Sequence, residues 1–122
     1  MFEKKKVILV VSDDVAIAKF AVSIVQQGAS NILLIGNNQD FLDDVFAQVR
    51  KVGGQVSVRK CNPADLGATL ILSNELKEEY GVFDYLINAT EFEFINMIPA
   101  KIKMRTYTKG AYTVMWATDT QR

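Results

Sequence analysis

Five consecutive apolar residues, Val7-Ile-Leu-Val-Val11, run straight into a polar turn and then an amphipathic stripe, and this pairing limits the chain's fold more than any other feature. A short, β-branched, continuously apolar run between polar residues reads as a strand buried on both faces, as happens when helices cover both sides of a sheet. After it Ile17, Phe20, Ala21, Ile24 and Val25 recur at helical spacing, and Gly28 stands where a C-cap would. The unit repeats. Ile32 to Ile35 is apolar, Asn37 or Asn38 can cap, and Phe41, Leu42, Val45, Phe46, Val49 and Val52 form a stripe ending at Gly53-Gly54. In a third round Gln55 to Arg59 alternates as a strand. Asn62-Pro63-Ala64-Asp65 then offers a cap, a proline at the first helical position and an acid in the first turn. The helix through Leu66, Leu70, Leu76 and Tyr80 stops at Gly81, and Phe83 to Asn88 supplies a fourth strand.

Strands alternating with helices of this length imply right-handed βαβ crossovers and a parallel sheet with helices on both faces, a three-layer α/β sandwich. Beyond Ala89 the signals change. Glu91-Phe-Glu-Phe94 reads as loop, Pro99 opens a short helix through Ile102 and Met104, and Ala111-Tyr-Thr-Val-Met-Trp116 reads as a fifth strand. The 122 residues have room for one compact domain, and 49% hydrophobic with 23% charged residues is the balance of a folded globule. No internal linker interrupts residues 1–122.

Fourteen basic residues against fourteen acidic ones leave no net charge, so no global field recruits nucleic acid or an anionic membrane. The sequence contains no histidine, which excludes His-based triads and the commonest metal ligand; no metal site is expected. The single cysteine, Cys61, cannot form an internal disulfide. The basic start Lys4-Lys-Lys6 precedes an apolar run too short for a signal peptide, and nothing approaches the roughly 20 apolar residues of a membrane span. The expectation is a soluble cytoplasmic protein.

Lys6-Val-Ile-Leu-Val-Val-Ser-Asp-Asp-Val-Ala-Ile-Ala18, Leu33-Leu-Ile-Gly-Asn-Asn38, Gly53-Gly-Gln-Val, Cys61-Asn-Pro-Ala-Asp65 and Tyr80-Gly-Val-Phe-Asp-Tyr-Leu-Ile-Asn-Ala89 occur in that order. Through these phrases residues 5–90 resemble the N-terminal, dinucleotide-binding half of the short-chain dehydrogenase/reductase family. The resemblance implies a Rossmann-like sheet in the order 3-2-1-4, with a fifth strand beyond, and a divergent segment over residues 91–122. It also implies cofactor contacts at Ser12, in the glycine loop after the first strand; at Asn37, where ribose is read; at Asn62, where an Asp meets adenine; and at Asn88, in place of the family's NNAG segment.

The departures from that pattern set the functional expectation. The three glycines of the family's TGxxxGxG loop serve a tight turn, close approach to the pyrophosphate and close helix packing; here those places hold Ser12, Ala16 and Ala18. Asp13 and Asp14 add carboxylates at the helix N-terminus, whose amides and dipole would otherwise attract the anion. At about 4 Å, like charges repel by roughly 1 kcal/mol in water and several at lower effective dielectric. The second strand ends in Gly36-Asn37, with neither an acid for a ribose hydroxyl nor an arginine for a phosphate. The family's catalytic YxxxK is missing: none of Tyr80, Tyr85, Tyr107 and Tyr112 has a lysine four residues later. Thr118 lies near the position of the catalytic Ser in one register, and Tyr107 near that of a functional Asn in another; neither restores a hydride-transfer site.

The expectation is therefore a truncated, non-catalytic relative that needs no cofactor, acting as a structural or regulatory interaction module, homo-oligomeric or bound to a protein partner. The alternative is a subunit that binds NADP or NAD weakly and needs a partner for catalysis. A second alternative is a degenerate receiver-like domain, suggested by Asp13-Asp14 after a buried strand but opposed by Lys60-Cys61 where the phosphoacceptor Asp should stand. Helix capping is the simpler explanation of the two acids, and a buried structural thiol that of Cys61. Lys101, Lys103, Arg105 and Lys109 with Tyr107, Tyr112 and Trp116 could face single-stranded nucleic acid, but a solvated face with core aromatics fits better. The acidic run from Asp65 to Glu93 could pair with this basic one between copies of the chain.

Overall fold

The computed structural model describes residues 1–109 and 112–117. The chain order is β1 (Lys6–Val10), α1 (Val15–Gln26), β2 (Asn31–Gly36), α2 (Gln39–Lys51), β3 (Val56–Lys60), α3 (Leu66–Tyr80), β4 (Phe83–Asn88), a 3₁₀ turn (Phe94–Met97), β5 (Ala100–Lys109) and β6 (Tyr112–Ala117). The strands form a sheet in the order β3-β2-β1-β4-β5-β6, parallel from β3 to β5, with β6 antiparallel. This is a Rossmann-like α/β fold. β1 pairs with β2 and β4 rather than β3, which rules out the receiver order 2-1-3-4-5.

The sheet's centre explains the apolar runs. Val7, Ile8, Leu9 and Val10 are wholly buried, alternately against the α1 and α2 side and the α3 side. Each such side chain stabilises the fold by about 1.5–3 kcal/mol relative to exposure. On one face Leu9, Ile32, Leu34 and Ile87 pack on Ile17, Ala21 and Ile24 of α1 and on Leu42, Val45 and Val49 of α2. On the other, Ile8, Val10, Leu33, Ile35 and Leu86 meet Leu72 and Leu76 of α3 together with Ile95 and Ile98.

Local capping chemistry sets the helix ends. Asp14 caps α1 and Asn38 caps α2, accepting from the amides of Ala16 and Phe41. Asp65, not Asn62, caps α3; Asn62 instead closes the preceding turn by accepting from the Ala64 amide at 3.0 Å. The proline therefore lies in that turn, ahead of the first helical residue. Gly81 ends α3 at φ 77°, a left-handed conformation costly for any residue with a Cβ. Leu66 and Leu70, on α3, are about half exposed.

The C-terminal third differs from expectation. Pro99 opens a strand rather than a helix, and Ile102 and Met104 sit on β5 beside Tyr85 and Ile87. The edge of β4 needs partners for its backbone groups, and the alternation of Lys101, Ile102, Lys103, Met104 and Arg105 suits a pleated strand. The strand expected from Ala111 is β6, the sixth, and it begins at Tyr112; Ala111 lies outside the described residues. Tyr107 and Trp116 are not core aromatics. They are 47% and 43% exposed and meet edge to face at 5.4 Å.

Two members of the acidic run pair with the basic run within the chain. Lys101 reaches Asp84 at 3.3 Å, Arg105 pairs with Glu93 and donates to the Thr90 carbonyl at 2.8 Å, and Lys103 donates to the Asn96 carbonyl. Burial lowers the pKa of Lys103 from its ordinary value. Among the described residues no helix is long and apolar enough to cross a membrane.

Candidate functional site

In a parallel sheet every strand delivers its carboxyl end to the same edge, and ligands bind where the crossovers diverge. Here α1 and α2 lie on one face and α3 on the other, so the crevice opens beyond β1 and β4. A cavity of about 510 Å³ occupies it, lined by Val11, Ser12, Asp13, Asn37, Asn38, Asn62, Pro63, Ala89, Thr90, Glu91 and Phe92. This is the size of a small-ligand site. Of the residues expected to contact a cofactor, Ser12, Asn37 and Asn62 come together in this lining.

Asn88 does not line the cavity. Its side chain is wholly buried and organises the wall from behind. Its Nδ2 donates to the Phe92 carbonyl at 2.7 Å, and its Oδ1 accepts from the Thr90 amide at 2.9 Å and the Thr90 hydroxyl at 2.6 Å. These bonds fold the β4 exit back so that Thr90, Glu91 and Phe92 form one side of the crevice.

Asn38, which the sequence marked only as a cap, also donates through Nδ2 to Asp13 at 3.0 Å. It thereby ties the loop after β2 to the loop after β1. Gly36 permits this closeness, since a Cβ there would come within 2.8 Å of Val11 Cγ2 and 3.2 Å of Leu42 Cδ2. Phe92, Pro63 and Glu91 carried no sequence signal as site residues, because the turns that bring them together are non-local.

The walls divide chemically. Val11, Pro63, Ala89 and Phe92 give apolar surface for a flat ring, while Asn37, Asn62, Ser12 and Thr90 supply neutral hydrogen-bonding groups. The first turn of α1 is different. Asp14 Oδ1 accepts the Ala16 amide at 2.9 Å, the Asp14 carbonyl accepts the Ile17 amide at 2.9 Å, and the Asp14 amide donates to the Ser12 carbonyl at 2.8 Å. The crevice thus offers apolar surface and neutral hydrogen-bonding groups, while the first turn of α1 has the amides of Asp14, Ala16 and Ile17 already engaged.

Cys61, just beyond β3, is buried, and burial pushes its thiol up from the ordinary cysteine range against the opposing hydrogen bond of Thr69. A protonated, enclosed thiol is no nucleophile. Thr118 lies outside the described residues. Tyr107 stands on β5 rather than on a helix after β4, and the strand toward Thr118 is antiparallel, so neither register considered for the family's catalytic half applies. No group of His, Cys, Asp and Glu among the described residues could hold a metal ion.

No protein-family model matches the sequence. The chain is 28% identical over 85 residues to the fatty acyl-CoA reductase of Acinetobacter baylyi, covering 70% of this chain and 29% of the reductase. A protein named as a D-mannonate oxidoreductase from Haemophilus influenza, solved with NAD bound, superposes with a TM-score of 0.59 at 26% identity, over 70% of this chain and 30% of that one. A double mutant of a Serratia marcescens short-chain dehydrogenase/reductase gives a TM-score of 0.61 at 20% identity, over 75% of this chain and 38% of that one. The NAD held by the first of these structures overturns the expectation that a chain of this kind needs no cofactor. The chain has a Rossmann-like fold and, in its sequence phrases, resembles the dinucleotide-binding half of the short-chain dehydrogenases/reductases; it spans 29–38% of the length of these three proteins.

Proposed function

We propose that this chain holds the adenosine end of a nicotinamide dinucleotide in the crevice at the carboxyl ends of β1–β4. In this reading it is non-catalytic by itself and serves as a structural or regulatory element of an oxidoreductase. The observation that carries the reading is the convergence of Ser12, Asn37 and Asn62 on one apolar-walled cavity at the sheet's crossover point. The likeness to an NAD-bound oxidoreductase supports it. A bound dinucleotide supplies the hydride chemistry. The residues of this chain offer hydrogen bonds, an apolar seat for the base and shielding from water by Phe92. With no YxxxK in the sequence, acid–base groups for hydride transfer come from residues other than those of this chain, in a protein partner or a second polypeptide segment.

The test is calorimetric titration and thermal shift with NADH and NADPH. Ligand at 100 times its dissociation constant adds about 2.7 kcal/mol of stability, a shift of several degrees. Saturable binding that weakens in Asn62→Ala and Asn37→Ala is expected, with no NADH oxidation by the chain alone over a panel of aldehydes and ketones. Absence of binding by both dinucleotides at millimolar concentration refutes the reading, and turnover by the chain alone refutes its non-catalytic part.

A further inference from the structure

The first turn of a helix ordinarily offers unpaired amides and the positive end of its dipole to a phosphate. In α1 most of that offer is taken up. The amides of Asp14, Ala16 and Ile17 are all engaged within the loop itself, two of them by the oxygens of Asp14. Around the mouth, Asp13 and Glu91 both line the cavity, Asp13 fixed in place by Asn38 Nδ2 at 3.0 Å, and among the described residues no Lys or Arg lines it. Asp14, half-buried at the N-cap, adds a third carboxylate. A phosphate entering along α1 therefore meets negative charge and spent donors, whereas a neutral base and sugar meet Val11, Pro63, Ala89 and Phe92 together with the amides of Asn37 and Asn62.

We infer that this crevice selects an adenine nucleoside and that each phosphate added to it weakens binding, the reverse of a phosphate-anchored nucleotide site. The inference rests on the crevice being the adenosine seat proposed above, and it deepens that reading: recognition comes from the nucleoside, and the diphosphate is tolerated outside the α1 terminus rather than gripped by it. An adenosine-bearing ligand with little or no charge on its 5′ side is the chemical class that fits best.

The experiment is calorimetric titration of the full chain with adenosine, AMP, ADP and NADH at low and high sodium chloride. Like charges a few ångströms apart at a water-exposed site correspond to about fivefold in affinity. Adenosine is expected to bind at least fivefold more tightly than ADP at low salt, and the gap is expected to close at high salt as the repulsion is screened. Asp14→Asn keeps a good capping side chain while removing a charge. It is expected to raise ADP affinity about threefold and to leave adenosine affinity within about twofold, because Asp14 is not part of the lining. Tighter binding of ADP or NADH than of adenosine by the unmodified chain overturns the inference while leaving the proposed function standing. An unchanged ADP-to-adenosine ratio in Asp14→Asn, with the variant's melting temperature intact, also overturns it. Adenosine binding without NADH binding supports the inference and removes the dinucleotide reading; binding of neither removes both.

Discussion

Replacing Asn88 by Asp tests whether the crevice wall is held by a buried amide. The side chain is 0% exposed, and three of its hydrogen bonds are 2.9 Å or shorter: one donated to the Phe92 carbonyl and two accepted from Thr90. At about 1 kcal/mol for each neutral bond, Asn88→Ala should cost about 2–3 kcal/mol, somewhat less if water reaches the half-buried Thr90. Asn88→Asp is isosteric, yet when ionised it sets a carboxylate oxygen against the Phe92 carbonyl in a site closed to solvent. The folded state then disfavours the charged form, raising the pKa of the new carboxyl above its unfolded value of about 3.9.

The pH sign follows from that shift. Below about pH 4 the acid is protonated in both states, donates its proton to the Phe92 carbonyl and still accepts from Thr90, so the variant approaches the parent. As pH rises through the unfolded value only the unfolded chain can ionise freely, and the deficit grows until the folded group also ionises. At pH 7 the loss should exceed that of Asn88→Ala, about 3 kcal/mol or more, or on the order of 10 °C in Tm for a chain of this size. Urea unfolding of parent and variant at matched pH values between about 3.5 and 8 measures it. An Asn88→Asp deficit independent of pH, or below about 0.5 kcal/mol at pH 7, would refute the assignment of Asn88 as the organiser of this wall.

Thr106 is 4% exposed and its hydroxyl has no hydrogen-bond partner among the described residues, so Thr106→Val should leave stability unchanged or raise it by about 1 kcal/mol in urea unfolding; a loss above that would show that the hydroxyl is satisfied. Gly36→Ala forces a Cβ to 2.8 Å from Val11 Cγ2 and should cost about 1–3 kcal/mol, lowering the urea midpoint without changing the slope. Asp84 accepts the Lys6 amide at 2.9 Å, and this bond, aided by Lys101, holds its carboxyl below the usual range. Its contribution is present above the unfolded pKa of about 3.9 and is lost as pH falls. Asp84→Asn should therefore be less stable than the parent at pH 7, with the gap narrowing toward pH 3; a gap constant with pH would contradict the assignment.

Much of the site was legible because the relevant chemistry is short-range. A polar residue one or two places beyond a buried parallel strand lies at the crevice whichever strand it follows, and Ser12, Asn37 and Asn62 each occupy such a position. Asn88 is instead the last residue of β4; that strand is covered on one side by Ile95 and Ile98, and the returning loop engages its amide from within. Nothing local distinguishes an amide aimed at a ligand from one aimed at Phe92. The bridge from Asn38 to Asp13 spans 25 residues and depends on two adjacent strand ends, so neither residue alone announces it.

The sequence by itself determined the βαβ alternation, the narrowing of the first two helix caps to Asp13 or Asp14 and Asn37 or Asn38, and the absence of a YxxxK pair, since periodicity, capping and motif spacing are properties of a few neighbouring residues; the structure then chose Asp14 and Asn38. Only the tertiary structure decided the path after Ala89. The period-two alternation from Lys101 to Arg105 was present, but Pro99 before it is equally compatible with a helix start, and the free edge of β4 resolves the choice by offering a ladder of backbone partners. The same strand brings Lys101 to Asp84 and Arg105 to Glu93, satisfying within one chain charges that the sequence left open to pairing between copies. Charge sign is written in the sequence; which charge faces which is fixed only when strands distant along the chain become neighbours.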